Sequence, residues 1–298
     1  MENTAFGDLN GYTIGIVLKE CVRRAMEVIR AHRYSHKVRE KHTPGKKFDV
    51  VTDADEAAQK VYVKIIKRAF PTFGIVAEED GLSVPCTHPE LDIYVTVDPL
   101  DGTKAFSRWQ AHGVGTMVSV VCNGEVVAAY IGDAIAQEVY GFRPGSVTVH
   151  MVCEDGFAED LGTRLTQELS GAAILLRESE SAHSHTAQLL FHSSVHSPLF
   201  TKTVFSSGSI GLSMARLWKG EVGAAVLLPG RNTPWDLMPV LGICQKLDFV
   251  FLALDPKTGR YKEFTCPVSQ QAIEIQEELI VVQSRHVQLL NGHLAVIR

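Results

Sequence analysis

The stretch Val97-Asp98-Pro99-Leu100-Asp101-Gly102-Thr103-Lys104 constrains this chain more than any other, because it ends an apolar run with two carboxylates and a turn. Residues 93–97 read as a buried strand. Pro99 has no N–H and a fixed φ, so it is expected to stop the ladder where Asp98 emerges at the strand's carboxyl edge. Asp98 and Asp101 then face one point. Hard divalent cations such as Mg²⁺ take oxygen ligands, commonly one or two carboxylates together with substrate phosphate oxygens, and the Leu100 carbonyl offers a third protein ligand. Gly102 lets the backbone come close, and Thr103 is expected to cap a helical turn whose N–H groups aim at an anion.

The rest of the chain must supply a core to hold that stretch. At 298 residues it has length for one large or two coupled domains. Hydrophobic content of 45% with 21% charged residues excludes a disordered chain. A net charge of −5 argues against binding a nucleic-acid polymer, which needs a basic surface. The six cysteines are scattered without zinc-ligand spacing and are expected to be reduced core thiols. Residues 1–10 lack the pattern of an export signal, and no apolar run approaches the ~18 residues of a membrane span. A cytoplasmic protein without membrane contact is the expectation.

Apolar residues recur at helical spacing over residues 12–31. Residues 32–47 follow with six Lys or Arg and a Thr43-Pro44-Gly45 break, and read as a mobile basic loop. Thr52 to Asp55 has the form of a helix start. Residues 114–122, 126–131 and 138–142 read as an antiparallel meander, with Asn123-Gly124 a strong hairpin turn. Residues 143–157 read as irregular, 158–170 as a helix, 172–176 as a strand and 186–191 as a short helix. Ser206-Ser207-Gly208-Ser209 precedes another helical pattern, 222–228 is an apolar strand, a hairpin turns at residues 255–259, a last strand covers 279–282, and a helix closes at 284–296. Helical pairs, a meander and then alternating units fit a layered α/β (α+β) sandwich. His183, His185, His192 and His196 lie in a polar segment and read as solvated histidines, since a magnesium site prefers oxygen.

Further acids stand at comparable positions. Glu78-Glu79 ends the apolar run 73–77, and Trp235-Asp236 opens a helical pattern after a loop. Together with Asp55 in Val51-Thr52-Asp53-Ala54-Asp55 and the Asp98-Pro-Leu-Asp-Gly-Thr103 stretch, this ordered set resembles the inositol monophosphatase superfamily, which includes bisphosphate nucleotidases, some histidinol-phosphate phosphatases and fructose-1,6-bisphosphatases. The resemblance implies an αβαβα carbohydrate-phosphatase architecture, with an N-terminal lobe over residues 1–145 and a C-terminal lobe over 146–298 forming one compact unit. It implies a lithium-sensitive phosphatase using two or three Mg²⁺ on a small phosphorylated metabolite, and a homodimer. Paired ions ~3.5–4 Å apart serve the nucleophile on one side and the leaving oxygen on the other. Asp98 would bridge them, Glu78 and the Leu100 carbonyl would complete the nucleophile side, and Asp101 and Asp236 the leaving-group side. Glu78 is the expected ligand and Glu79 its solvated neighbour. Thr103, hydrogen-bonded to Asp55, would orient the attacking water. The N–H groups of Gly102 and Thr103 would cradle the phosphate, Gly208 and Ser209 would contact substrate hydroxyls, and Lys46 and Lys47 would close over the site.

The chain departs from the inositol enzymes around the substrate. Residues 222–234 carry no acid, Arg231 stands nearby instead, and Lys104 replaces a small polar residue. Asp-Gly-Thr-Lys resembles the bisphosphate nucleotidases and histidinol-phosphate phosphatases. Ile210 follows Gly208-Ser209 where alanine is common, and Gln245-Lys246-Leu247-Asp248 replaces Glu-Ala-Gly-Gly. The expected substrate carries extra negative charge, such as a second phosphate or a carboxylate, read by Lys104 and Arg231. A regulatory homologue without activity is the alternative of another class. Such proteins usually lose a metal ligand, and none is missing here.

Overall fold

Ten-residue stretches already dictate most elements of the computed structural model, which describes residues 10–41, 49–165, 168–192 and 197–297. Helix α1 (Gly11–His32) begins where the Asn10 side chain accepts the Thr13 N–H at 2.8 Å. β1 (Val38–Lys41) and β2 (Asp49–Thr52) pair antiparallel and lead into α2 (Asp53–Ala69). β3 (Gly74–Ala77), β4 (Ser83–Val84), β5 (Ile93–Asp101) and the short α3 (Thr103–Ser107) come next. The meander β6 (Gly115–Cys122), β7 (Glu125–Asp133), β8 (Glu138–Phe142), β9 (His150–Cys153) and β10 (Ala158–Asp160) follows.

The second half alternates more. It runs β11 (Ala173–Leu176), α4 (His185–Phe191), β12 (Lys202–Phe205), α5 (Ile210–Trp218), β13 (Ala224–Leu227), β14 (Gly230–Asn232) and α6 (Pro234–Lys246). β15 (Phe249–Asp255), β16 (Arg260–Glu263), β17 (Ile273–Ile275), β18 (Leu279–Gln283) and α7 (Val287–Ile297) complete it. An eight-stranded sheet has the order β10-β9-β8-β7-β6-β5-β3-β4, and a six-stranded sheet the order β12-β11-β13-β18-β15-β16. Both are mixed: β3 is parallel to β5, and β11 to β12 and β13.

Side chains of a strand alternate between faces, and here the alternation sorts the core into three parts. Val95, Val97, Val118, Val120 and Tyr130 face the buried stripes of α1 and α2. Met117, Val121 and Ile131, on the opposite face of that sheet, pack with α5, α6 and the inner face of the second sheet at Leu175, Phe251 and Val281. Ile174, Val226, Ile280 and Val282 face outward onto α4 and α7. The result is the expected layered αβαβα sandwich. No helix among the described residues is long and apolar enough to cross a membrane, and all six cysteines are free thiols.

Some expectations fail, each for a tertiary reason. Residues 143–157 are not wholly irregular, since β9 lies within them, and of the expected helix 158–170 the described residues form β10 and a single 3-10 turn at Leu161–Arg164, with residues 166–167 outside the described residues. Leu161, Leu165 and Leu169 have helical spacing, but Leu161 and Leu165 serve the central core while Leu169 serves the outer one. One continuous helix face cannot do that, and β10 pairs with β9 instead. Pro99 does not stop the ladder. β5 continues to Asp101 through an irregularity, pairing Asp98 with Met117 and Asp101 with Gly115, so the extra residue sits where no ladder N–H is required. Within the expected mobile loop, residues 38–41 form β1. Thr43-Pro44-Gly45, Lys46, Lys47 and residues 1–9 lie outside the described residues, as does His196. His183 is not solvated: it is buried, with Nδ1 2.9 Å from a Glu278 oxygen. His192, which is exposed, pairs with Glu180 at 2.6 Å.

Candidate metal centre

One strand end and one helix start bring the acids together. The irregular end of β5 turns both Asp98 and Asp101 to one side, and Pro234 in the first turn of α6 delivers Asp236 to the same point. One carboxylate oxygen from each of Asp98, Asp101 and Asp236 lies within 4.8 Å of the others. Local donors fix their aim. The Leu100 N–H donates to Asp98 Oδ1 at 3.0 Å, and the Thr233 hydroxyl to Asp236 Oδ2 at 2.6 Å. Asp101 is held by the Ser209 hydroxyl, by the Ile210 N–H at 3.1 Å and by the Gly211 N–H at 2.9 Å. Asp98 is 2% and Asp101 6% exposed. Burial, then the charges of Glu78, Asp101 and Asp236, push the Asp98 carboxyl well above the ordinary carboxylate range. Burial also raises Asp101, against the pull of its donors and of Arg177.

Asp55 occupies the first turn of α2. Its Oδ2 accepts the Thr52 N–H at 2.8 Å and the Thr52 hydroxyl, a reciprocal cap that seals the helix start. Its Oδ1 receives Thr103 Oγ1 at 2.9 Å, while the same hydroxyl lies 3.1 Å from the Leu100 carbonyl. A hydroxyl has one proton to donate, so Asp55 and Leu100 compete for it. Burial raises the Asp55 carboxyl to about 6 in spite of these bonds. Thr103 is the first residue of α3 rather than its cap. That place belongs to Gly102, whose φ of 95° is open to glycine and whose missing side chain lets the Gly113 carbonyl come against it.

Glu78 and Glu79 both meet Lys41, whose Nζ is 2.8 Å from each. Burial opposes the Lys41 charge, but the two carboxylates together raise its pKa. Glu79 is not the solvated neighbour expected. It is buried, Gln59 bonds both its backbone N–H and its carbonyl, and burial followed by the Glu78 charge raises its carboxyl to about 7. Glu78 is less buried and acts electrostatically on Asp98.

The remaining expected residues divide. Ser209 caps α5, accepting the Leu212 N–H at 2.9 Å, and Gly208 precedes it in a left-handed turn with φ of 80°. Lys104 is exposed on α3 beside Thr103. Arg231 is exposed on β14, directly opposite Glu274 of β17.

Three hard oxygen donors with two of them buried, and no histidine or cysteine among them, fit a Mg²⁺-type cation and not a soft metal. Close buried carboxylates of raised pKa require compensating positive charge before all can ionise. The inositol monophosphatase family model matches residues 13–288. The chain belongs to the inositol monophosphatase family. A Thermotoga maritima IMPase superposes with a TM-score of 0.64 at 19% identity, covering 93% of this chain and 95% of that one. A dual-specific IMPase/NADP phosphatase bound with D-inositol-1-phosphate gives 0.67 at 17% identity, covering 96% of each chain. In sequence, a protein named Nus factor SuhB from Xylella fastidiosa is 37% identical over 103 residues, which is 35% of this chain and 35% of that protein. The matched part thus spans about a third of that relative's length. The mouse 3'(2'),5'-bisphosphate nucleotidase 1 is 26% identical over 216 residues, 63% of this chain and 66% of that protein.

Within this member of the family, the residues that sequence reasoning passed over are Lys41, Gln59 and Arg177. Lys41 carried a signal as a cation in the basic segment 32–47. Arg177 stood at the end of an apolar strand, where a charge is unremarkable until the fold brings the 208–209 turn against it.

Proposed function

We propose that the chain is a Mg²⁺-dependent phosphatase that hydrolyses a small phosphate monoester by attack of water. The observation that carries this is the Thr103–Asp55 hydrogen bond of 2.9 Å, set next to three carboxylates that converge within 4.8 Å. Asp98, Asp101, Asp236, Glu78 and the Leu100 carbonyl would hold two or three ions. Bound Mg²⁺ supplies charge neutralisation to the phosphoryl oxygens and acidity to the attacking water.

The chain's own groups do the rest. Thr103 Oγ1 accepts a hydrogen bond from the water and passes its own proton toward Asp55 Oδ1. A carboxyl near 6 is suited to take that proton at neutral pH. The N–H groups of Gly102 and Thr103 cradle the phosphate. Ser209 and the Ile210 and Gly211 N–H groups keep Asp101 turned toward the leaving group. As the water oxygen bonds to phosphorus, the P–O ester bond breaks, its electron pair goes to the leaving oxygen, and a proton from solvent water makes that oxygen a hydroxyl. Lys104 and Arg231 read extra negative charge on the substrate, and Gly208 and Ser209 its hydroxyls.

A 3'(2'),5'-bisphosphate nucleotide or histidinol phosphate fits the exposed Lys104 beside Thr103, and the likeness to the mouse nucleotidase supports the former. We further propose a cytoplasmic homodimer inhibited by lithium. The test is phosphate release from inositol phosphates, 3'-phosphoadenosine 5'-phosphate, histidinol phosphate and sugar bisphosphates, with and without chelator. Turnover that survives chelation sinks the reading. The second reading is a regulatory homologue without activity, which predicts no release from any ester; the name Nus factor on the SuhB relative bears on a regulatory role and not on loss of activity.

A further inference from the structure

Arg177 follows β11 and reaches the turn before α5. Its Nη1 donates to the Ser209 carbonyl at 3.0 Å and to the Ser213 hydroxyl, and its Nη2 to the Gly208 carbonyl at 2.8 Å. All three acceptors are neutral. Among the described residues no carboxylate forms an ion pair with it, yet the carboxylates whose charge it feels are Asp101 and Asp236 of the centre and its chain neighbour Glu178. A guanidinium stays charged in any protein environment and offers its donors as a rigid fork. Here the fork draws the Gly208 and Ser209 carbonyls to itself. The opposite side of the same turn then presents the Ser209 hydroxyl and the Ile210 and Gly211 N–H groups to Asp101.

Two consequences follow from one side chain. The fork orients Asp101 through the turn, and the charge, without a carboxylate ion pair among the described residues, opposes the field of Asp101 and Asp236. We propose that Arg177 is the internal counter-ion and positioning residue of the Asp98, Asp101 and Asp236 centre, weakening its hold on divalent cations while keeping Asp101 aimed. The inference rests on the metal reading of that centre but not on hydrolysis.

The sign of the effect separates this role from a merely structural one. A residue needed only for shape loses metal affinity when replaced, whereas a counter-ion gains it. Mg²⁺ and Mn²⁺ binding would be measured by calorimetry, with no ester present, for the wild type, Arg177→Met, Arg177→Gln and Arg177→Lys. Arg177→Met and Arg177→Gln are expected to bind roughly three- to tenfold more tightly, the scale of one screened unit charge acting on a divalent ion. By linkage, their metal-free forms should melt lower and recover more on adding Mg²⁺ than the wild type does. Arg177→Lys keeps the charge and loses the fork, so its cation affinity should stay within about twofold while its kcat falls. Should Arg177→Met not unfold cooperatively, Arg177→Gln, which retains an N–H₂ for the carbonyls, answers the same question.

Unchanged or weaker binding in the neutral variants overturns the counter-ion, as does an equal change in Arg177→Lys and Arg177→Met. A wild type that binds cations but hydrolyses no phosphate ester overturns the proposed reaction and leaves this inference intact. A wild type that binds no divalent cation overturns both.

Discussion

Asp101 and Glu79 are both buried carboxylates at the edge of one centre, and the chain satisfies them by opposite means. Asp101 receives a hydroxyl and two N–H groups from the start of α5, all neutral, while Arg177 binds the Gly208 and Ser209 carbonyls of the same turn. Glu79, with Glu78, shares the ammonium of Lys41 at 2.8 Å. Neutral donors orient a carboxylate without cancelling its charge, whereas an ion pair cancels charge and makes the acid depend on its partner. The Asp101 side is therefore a fixed cradle without a direct ion pair among the described residues, open to a cation under the proposed reading. The Glu78 side already holds one, carried on β1 next to residues 42–48.

The largest break in this comparison is Asp98→Asn, which removes the carboxylate between the two sides. Turnover and Mg²⁺ affinity should fall together, to the limit of a phosphate-release assay and of calorimetry. Retained affinity would show that Asp101 and Asp236 suffice. Next comes Thr103→Ala, expected to lower kcat by roughly 10²–10⁴-fold, the contribution of positioned proton transfer, with Mg²⁺ affinity nearly unchanged. Asp55→Asn should match it, and the double variant should be little worse than either, since residues acting as a unit are not additive. Single-turnover rates in which the two effects multiply would dismiss the relay.

Lys41→Met sharpens the contrast through stability. Leaving the buried Glu79 and the half-buried Glu78 without their cation should destabilise the metal-free protein by about 1–3 kcal/mol, less than the full cost of an orphaned buried charge because Glu79 can protonate. The pH dependence carries the same sign. Burial raises Glu79 to about 7 and Asp55 to about 6, so between pH ~4.5 and 7 the folded chain binds more protons than the unfolded one. Metal-free stability must then fall as pH rises through that window, more steeply in Lys41→Met, and Mg²⁺ should reverse the fall. Thermal melts from pH 4.5 to 7.5 decide it, and a flat profile would contradict the burial argument. The smallest effect is expected for Ser209→Ala, which loses one bond to Asp101 and the α5 cap but keeps both N–H donors. About 1–2 kcal/mol of stability and a modest rise in KM would fit. A complete loss of activity would mean that the two N–H donors cannot hold Asp101 without the hydroxyl.

What the residues determine by themselves lies within short reach along the chain. The apolar period of residues 12–31 becomes α1, Asn123-Gly124 becomes a hairpin turn with both residues at positive φ, and Asp98-Pro-Leu-Asp-Gly-Thr ends a buried strand in acid. Each is settled by propensity, turn chemistry or face alternation acting over about ten residues. Partners across the fold are another matter. That Asp55 meets Thr103 was legible only through family resemblance, because 48 residues separate them. That Lys41 neutralises Glu79, that His183 is buried against Glu278, and that Arg177 grips the turn holding Asp101 could not be read at all. Residues 158–170 have helical spacing, yet two cores claim successive leucines and a neighbouring strand takes the backbone. Local energies there are small, and burial together with long-range pairing outweighs them. The fold, not the chain's local pattern, decides which charges stand alone.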